Sequence, residues 1–367
     1  MKTPILLAAA VAAAAAAARA SARRIPDDIT GEVAIVTGAS RGLGLALARE
    51  LARHATGLII CARGQEQLER AADELRALGA EVTAVPCDLN DERSAELLVD
   101  TALKLYGRLD ILVSNAGIIQ VGPVESTGAG DFEAAVRTMA LAPIRLTLTA
   151  LPVMRGQAHG RIVNITSIGG KVSVPHLLPY SVAKFAAVGF SEGLRAELGP
   201  GPVAVTTVVP GLMRTGSYVN ARFAGRAEKE FTWFSLAASL PVLSMDAGAA
   251  AHQIIEAMRQ RRAEVILTPL AQLAARGAPV FPQLTAALLH FTGQLLPAAT
   301  GQRGSAEPGQ ALRPALNQQV FDRLTALGRT AARQLNQLPL SQQPQRSGVG
   351  PASDADHQEP GRISHDS

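Results

Sequence analysis

The sequence has little cysteine, little aromatic content and little charge, and each shortage excludes a class of protein. Two cysteines cannot build a disulfide scaffold or a four-cysteine zinc site, and we expect no metal site. A formal net charge of +4 over 367 residues is too dilute to indicate a nucleic-acid partner. No run of about 18 strongly apolar residues is present, which excludes a protein with many membrane spans. The chain is nevertheless 47% hydrophobic and only 4% aromatic, so it can bury a large, mostly aliphatic core.

The first 27 residues form an Ala-rich segment resembling a targeting sequence or an anchor. Its apolar stretch, from Pro4 to Ala18, has Lys2 before it and three arginines after it. As a helix, these 15 residues rise only about 22 Å, less than the about 30 Å of a bilayer core. Membrane contact through residues 1–20 and a plain Ala-rich helix are equally good interpretations. Positive charge after the stretch would keep the rest of the chain cytoplasmic, and export is the least favoured outcome.

Residues 28–270 alternate apolar runs of strand length with helical periodicity. Such runs are typical of strands covered on both faces, so the pattern predicts an α/β, doubly wound parallel sheet of about seven strands with helices on both faces. Ligands should bind beyond the carboxyl ends of the strands. The predicted strands are Glu32–Thr37, Gly57–Cys61, Glu81–Val85, Leu109–Val113, Arg161–Thr166, Val203–Val209 and Glu264–Leu267.

The chain beyond this domain divides into two parts. We expect a C-terminal helical extension over residues 271–340 and a disordered tail over 341–367, because Gln, Pro, Ser, Gly and Arg dominate from about residue 298. Within the second half of the extension, only Pro314–Leu338 has helical spacing. One apolar face there is predicted to contain Leu316, Val320, Leu324 and Leu327.

The first strand runs into a glycine-rich loop, Thr37-Gly-Ala-Ser-Arg-Gly-Leu-Gly44, and then into a helix. Gly38 permits a tight turn, while Gly42 and Gly44 let the backbone approach a pyrophosphate and the helix pack on the sheet. The helix N-terminus offers free N–H groups to phosphate. Strand, loop and helix occur in the order that a dinucleotide site needs, so we predict one here.

The end of the second strand indicates which dinucleotide binds. An acidic residue there would bond the adenosine ribose hydroxyls and repel a 2′-phosphate, but the sequence has Cys61-Ala-Arg63. Arg41 in the glycine loop adds a second cation, and two guanidinium groups suit a 2′-phosphate. This favours NADP(H) over NAD(H), although Arg63 could simply be solvated at a strand end.

A second group of residues has the chemistry of a proton donor. Tyr180 and Lys184 are four residues apart, so they share one helix face. A phenol has a pKa of about 10, and a nearby ammonium together with an oxidised nicotinamide would lower it. Ser167 ends the preceding strand and can donate a hydrogen bond to a carbonyl oxygen that gains charge.

Together these residues resemble the short-chain dehydrogenase/reductase family, and the likeness covers about residues 28–270. Ser167, Tyr180 and Lys184 match its catalytic set, and the glycine loop matches its cofactor motif. The cofactor-binding positions that we predict are Gly38, Ser40, Arg41, Gly42, Leu43, Gly44, Arg63, Asp88, Leu89, Asn115, Ala116, Gly117, Tyr180, Lys184, Pro210, Gly211 and Thr215. Ser114 stands where the family usually has Asn.

The resemblance implies a Rossmann-type fold and reversible hydride transfer between a nicotinamide and a carbonyl/alcohol pair. Tyr180 would be the general acid in reduction and Ser167 would polarise the carbonyl. Lys184 would lower the Tyr180 pKa and bind the nicotinamide ribose. Because members of the family are commonly dimers or tetramers, the resemblance also implies a homo-oligomer.

One position departs from the family pattern. The family often has a catalytic Asn 13 residues before a Pro-x-Met pattern, and counting back from Pro152-Val-Met154 reaches Met139. A thioether cannot donate the hydrogen bond that links Lys184 to solvent through water. The alternative function is therefore an NADP(H)-binding sensor with weak or lost catalysis, and another hydride reaction such as enoyl reduction is a lesser possibility.

The substrate side is less specific. We expect Ser167, His176 and Trp233 to contact a small-molecule carbonyl or alcohol, although for His176 a solvated or structural role is the favoured interpretation. A concentration of aromatics suggests a mobile apolar lid over a lipid, steroid-like or keto-acyl substrate, or else an anchor for this insert on the core. These aromatics are Tyr218, Phe223, Phe231, Trp233 and Phe234.

Overall fold

The computed structural model describes residues 25–54, 57–299 and 306–338. The predictions for residues 1–24 and for the tail from 341 onward lie outside these ranges. At the start of the first range, Asp27 is already part of the fold, because its carboxylate pairs with Arg161 and Arg261 at 2.9 Å each. Arg161 also pairs with Glu32 at 2.7 Å. This charged cluster closes the amino-terminal edge of the central sheet.

Seven parallel strands form that sheet, which confirms the predicted architecture. Their bounds are β1 Val33–Thr37, β2 Gly57–Ala62, β3 Val82–Pro86, β4 Ile111–Ser114, β6 Gly160–Ile165, β7 Val203–Val209 and β11 Glu264–Ile266. Their spatial order is β11-β7-β6-β4-β1-β2-β3. The order reverses between β1 and β4, and a ligand crevice is expected at such a switch point.

Between Gly42 and Arg259 the described chain forms eight α-helices. They are α1 Gly42–Ala52, α2 Gln65–Ala77, α3 Ser94–Tyr106, α4 Ala129–Val136, α5 Ala142–Gly156, α6 Leu178–Leu198, α7 Ala227–Ser239 and α8 Ala247–Arg259. Helices α1, α2 and α8 share one aliphatic core with the sheet, whereas α3, α5 and α6 share the other. Both faces are therefore covered, as the continuous apolar strands predicted. Helix α7 instead belongs to a separate lobe at the carboxyl edge of the sheet, which is formed by residues 217–239 and the segments that pack on them.

Short elements complete the structure. The strands are β5 Gln120–Val121, β8 Leu212–Arg214, β9 Arg222–Phe223, β10 Ser244–Asp246 and β12 Glu307–Pro308, and the helices are α9 Pro269–Gly277, α10 Pro282–Leu295, α11 Gln318–Leu324 and α12 Ala326–Gln334. Strand β9 pairs with β5 and β12 to form a small separate sheet. This sheet brings the C-terminal part of the chain onto the lobe that contains α7.

The predicted apolar face of the C-terminal helix is wrong. Its four members, Leu316, Val320, Leu324 and Leu327, are all exposed, while Phe321, Ala331 and Ala332 are buried instead. The reason is a break at Thr325, which ends α11 and precedes α12. Because the helix is interrupted at Thr325, one continuous helical wheel does not describe both helices.

The clustered aromatics form the core of the lobe. Phe231 lies edge-on to Phe223 with ring centroids 5.5 Å apart, and it also packs against Tyr218 and Phe321. Tyr218, Phe223, Phe231 and Phe234 are buried, and Trp233 is partly buried. Such interlocking packing favours the alternative in which these aromatics anchor the insert, rather than the mobile lid.

One helical run among the described residues, Ala129–Gly156, is apolar and long enough to cross a membrane by length and composition alone. It comprises α4, a π-helical turn at Arg137–Leu141, and α5. Its α5 part contributes Leu146, Ala150 and Met154 to the core beneath the sheet. A core helix passes the same test, so this run is weak evidence for a membrane span.

Candidate active site

The glycine-rich loop is braced by the neighbouring strand. The hydroxyl of Thr37, at the end of β1, accepts hydrogen bonds from the backbone N–H groups of Asn115 (2.9 Å) and Ala116 (3.1 Å), which follow β4. The Asn115 side-chain amide in turn donates to the Thr37 carbonyl at 2.9 Å. These bonds hold the loop at the switch point of the sheet.

Two glycines in the loop are required by geometry. Gly42 opens α1 with φ +57°, a left-handed conformation that favours glycine. A Cβ on Gly44 would lie 2.2 Å from the Gly38 carbonyl oxygen and 2.6 Å from the Asn115 amide nitrogen. The spacing of these glycines predicted that helix α1 packs closely against the loop. This packing directs the N-terminus of α1 toward the crevice.

Arg41 and Arg63 lie close enough to influence each other. Burial lowers the pKa of Arg41, and the like charge of Arg63 lowers it further. The hydrogen bonds of Arg41 go to amide oxygens, at 2.9 Å from Asn220 and 3.5 Å from Gln67. Neither arginine forms an ion pair with a carboxylate in the described part of the chain. The pair therefore keeps its positive charge beside the glycine loop.

The fold brings Ser167, Tyr180 and Lys184 together at the carboxyl edge of β6. The Lys184 ammonium, on α6, donates to the Ile165 carbonyl at 2.8 Å and lies 5.7 Å from the centre of the Tyr180 ring. The Ser167 hydroxyl accepts the Gly169 N–H at 3.0 Å and also hydrogen-bonds Tyr180. Lys184 and Ser167 are both buried.

Burial controls the protonation of this group. It lowers the pKa of Lys184 to about 8, because the charged ammonium loses hydration. Burial also raises the pKa of Tyr180, and the hydrogen bond with Ser167 offsets this only in part. In the protein alone the net result is therefore a raised Tyr180 pKa, and the lowering expected from Lys184 together with an oxidised nicotinamide stays a prediction.

Other predicted cofactor positions lie in segments that follow strands of the sheet. The Pro210 carbonyl accepts the Ile168 N–H at 2.8 Å, which ties the loop after β7 to the loop after β6. Asp88 is exposed at the end of β3, where it caps Asn90 at 3.0 Å. Leu89 is bonded through its carbonyl to Arg145 at 3.0 Å. Thr215 is buried on the far side of Gly42.

Met139 occupies the π-helical turn and lies at the site. A Cβ on Gly117 would be 3.4 Å from its sulfur, and the side chain shares a small apolar cluster with Tyr180. Beside it is a cavity of about 10 Å³, also lined by Ser114 and Asn164. The Ser114 hydroxyl and the Asn164 amide oxygen are buried without a partner among the described protein groups. A cavity of this size and polarity suits one water molecule.

A buried carboxylate, not predicted from the sequence, links the two candidate substrate residues. Glu230 on α7 is fully buried; its oxygens accept from His176 Nδ1 at 2.8 Å and from the Trp233 indole at 2.6 Å. His176 has φ +62°, so its backbone is held in an unusual conformation. The three-residue spacing of Glu230 and Trp233 was visible in the sequence, but nothing there indicated the 54-residue separation from His176.

The fold and these residues agree with a known family. The short chain dehydrogenase model matches residues 32–223, more than half of the chain. The protein therefore belongs to the short-chain dehydrogenase/reductase family of oxidoreductases. Members of this family act on small-molecule carbonyl or alcohol substrates with a nicotinamide nucleotide.

Several curated relatives share the domain. A putative ketoacyl reductase of Streptomyces coelicolor is 37% identical over 193 residues, covering 52% of this chain and 74% of the relative. An SDR family protein 7-like dehydrogenase/reductase of Anopheles gambiae is 33% identical over 255 residues, covering 67% and 78%. An uncharacterized oxidoreductase of Bacillus subtilis is 36% identical and covers 50% and 72%.

Solved structures show both forms of the nucleotide. A short-chain dehydrogenase/reductase from Burkholderia phymatum, in complex with NAD, is 26% identical with a TM-score of 0.63, covering 70% of this chain and 96% of that one. An actinorhodin polyketide ketoreductase variant with NADPH is 29% identical with a TM-score of 0.57, covering 65% and 95%. The comparisons therefore support a nicotinamide nucleotide without selecting NAD or NADP.

The glycine loop yields a test of stability. Gly44→Ala would place its methyl group 2.2 Å from the Gly38 carbonyl, so we expect the free energy of unfolding to fall by about 1–3 kcal/mol, as for other overpacked sites. Urea denaturation measures this change. Gly130→Ala, in α4, is the matched control because a Cβ there meets nothing within 4 Å. Equal stability of the two variants would contradict the crowding described at Gly44.

Proposed function

We propose that the protein is an NADP(H)-dependent oxidoreductase that interconverts a carbonyl and an alcohol on an apolar small molecule. The observation that carries the proposal is the convergence of Ser167, Tyr180 and Lys184 at the carboxyl edge of β6, across the crevice from the glycine loop. Family membership supports the reaction class.

The side chains support distinct roles in reduction. The Ser167 oxygen accepts the Gly169 N–H and its hydroxyl proton is directed at the Tyr180 oxygen, so a substrate carbonyl that binds beside Tyr180 would receive this proton instead. The raised pKa of Tyr180 keeps its phenol protonated at neutral pH, which suits a general acid. Lys184 places a cation beside the Tyr180 ring, where it stabilises the phenolate that remains after proton transfer.

The residues of the crevice fit a nicotinamide dinucleotide. The absence of side chains at Gly42 and Gly44 would let a phosphate approach the α1 N-terminus closely, and a hydride donor or acceptor is the chemistry that the dinucleotide would supply when bound. Arg41 and Arg63 support the choice of NADP(H), since a 2′-phosphate would relieve the repulsion that lowers the Arg41 pKa. Relatives named as ketoacyl reductases support a carbonyl substrate.

Apolar side chains beside the candidate acid support an apolar substrate such as a lipid, a steroid-like compound or a keto-acyl group. Val174, Leu177 and Trp233 belong to the same hydrophobic cluster as Tyr180. The bonds from Glu230 fix Trp233 and His176, so His176 offers one oriented polar group at this apolar wall. A substrate with a long apolar part and one polar group near its carbonyl fits this combination.

The first test removes the proposed acid. Tyr180→Phe keeps the ring but loses the proton, so kcat for carbonyl reduction with NADPH should fall about 10²- to 10⁴-fold while the variant still binds NADPH. Tyr106→Phe is the control, because Tyr106 packs near Gly57 on β2 and not at the site. Unchanged turnover in Tyr180→Phe would contradict the assignment. The wild-type protein could also bind NADPH tightly without turning over aliphatic, aromatic, steroid or keto-acyl carbonyls. That result would favour the alternative function, an NADP(H)-binding sensor in which Met139 replaces the family's catalytic Asn.

The second test uses pH. The pKa of Lys184 is lowered to about 8, so its charge is present below that value and lost as pH rises through it. Tyr180, with a raised pKa, stays protonated over this range. The kcat/KM for reduction should therefore decline above about pH 8, and Lys184→Arg, which stays charged, should shift the decline to higher pH. A flat profile from about pH 7 to about pH 9 in the wild-type protein would refute this role for Lys184.

The third test concerns the 2′-phosphate. Arg63→Ala removes an exposed cation that has no carboxylate partner among the described residues, so NADPH should bind about 10- to 100-fold more weakly and NADH about equally. Arg155→Ala, which removes an exposed arginine near the opposite edge of the sheet, is the control for net charge. Equal loss of affinity for both dinucleotides would exclude a 2′-phosphate contact. Isothermal titration measures both affinities.

A further inference from the structure

The last described residues of the chain lie across the glycine loop. We name Gln334–Leu338 the C-terminal strap. The backbone N–H of Gly42, the first residue of α1, donates to the Leu335 carbonyl at 2.9 Å. The Arg49 guanidinium, further along α1, donates to the Gln334 carbonyl at 2.6 Å. The strap thus uses the N-terminus of the helix that is proposed to receive phosphate.

Asn336 fastens the strap to the loop beside the proposed ribose site. Its side-chain amide donates to the backbone carbonyls of Ser40 at 2.8 Å and Gln67 at 3.0 Å. The side-chain amide of Gln67 donates back to the Asn336 carbonyl. Ser40 is one of the predicted cofactor positions, so the strap contacts both the phosphate end and the ribose end of the proposed site.

Gln337 lies deepest in the crevice and is only 5% exposed. Its side-chain nitrogen is 2.7 Å from the point where a Cβ on Gly42 would lie, and the Cβ of Thr215 is 3.9 Å from that point. Its side-chain oxygen accepts from Asn220 at 2.8 Å, and Asn220 in turn accepts from Arg41 at 2.9 Å. The Gln337 side chain therefore stands between the glycine loop and the loop after β7.

We infer that the C-terminal strap is an intramolecular competitor of the dinucleotide, which must displace it to bind. The inference rests on the proposed function. Both occupants need the Gly42 N–H and the space directly against Gly42, which has no Cβ to fill it. Because two groups cannot occupy this space together, the fraction of molecules with the strap in place lowers the apparent affinity for the dinucleotide.

The structure allows the strap to leave while the helix before it stays. Helix α12 is docked through Ala332, which lies against Gly216, and through Gly328, which lies against Ser239. Leu335 is buried in the main core, whereas Asn336 has φ +56° and starts the change in chain direction. Beside Ser40 and Gly42 the strap is held through backbone and side-chain amides and carbonyls, while a phosphate would form stronger charge-assisted bonds with Arg41 and the α1 N-terminus.

The first measurement is the dissociation constant of NADPH for the full-length chain by isothermal titration. Asn336→Ala combined with Gln337→Ala removes the side-chain bonds of the strap, so NADPH should bind at least about fivefold more tightly. Gln334→Ala is the matched control, because this exposed neighbour contributes its backbone carbonyl but no side-chain bond among those described. Weaker binding by the double variant would show that the strap clamps the bound cofactor, and unchanged binding would show that the strap does not affect the cofactor. Either result overturns the inference.

The second measurement needs no variant. Hydrogen exchange of the wild-type chain should become faster at Gln337 and Leu338 when NADPH is added, because Gln337 N–H loses its 2.9 Å bond to the Ala332 carbonyl as the strap leaves. Exchange at residues 42–45 should become slower in the same sample. Slower exchange in the strap as well as in the glycine loop would overturn the inference.

The two measurements separate this inference from the proposed function. If NADPH binds with equal affinity to the wild-type chain, the double variant and the Gln334→Ala control, the proposed cofactor stands and the competitor role alone fails. If neither NADPH nor NADH binds even to the double variant, the proposed function fails, and the inference that depends on it fails too.

Discussion

The hydrogen bond from the buried Lys184 ammonium to the Ile165 carbonyl fixes the geometry of the candidate active site. The bond joins α6 to the end of β6. Ser167 lies two residues after Ile165, and Tyr180 lies one helical turn before Lys184, so the bond determines how close the two hydroxyl groups are. An ammonium with no partner would be very costly at this depth. A second buried chain of bonds, from Asn164 through Ser191 to Thr207, holds the same helix against β6 and β7.

Those parts of the molecule that depend on local sequence could be predicted. Strands covered on both faces are largely apolar, so β1, β2 and β7 appeared as mostly aliphatic runs with bounds within a residue or so of the observed ones. The glycine loop and the four-residue spacing of Tyr180 and Lys184 are also local, since backbone geometry alone requires them. The pKa of Tyr180 was not predictable in this way, because it depends on burial beneath residues distant in sequence.

The sequence did not predict which residues distant along the chain lie together in the fold. Leu316, Val320, Leu324 and Leu327 had the spacing of a buried face, but the break at Thr325 and the few apolar partners nearby leave them exposed. Buried Glu230 joins His176 to Trp233 through contacts that no motif announces. The same applies to Gln337, whose neighbour Gly42 is separated from it by most of the domain.

The electrostatics of the crevice explain why one site can serve both the chain and a ligand. Buried backbone N–H groups need an acceptor, and at the N-terminus of α1 the Leu335 carbonyl supplies it to Gly42. The strap satisfies these donors but neutralises no charge, since Arg41 is bonded to the Asn220 amide and repelled by Arg63. An anion would satisfy the same donors and also balance the two arginines. In the proposed competition, this unbalanced charge would favour an anionic dinucleotide over the uncharged side chains of the strap, an advantage that does not depend on the number of hydrogen bonds.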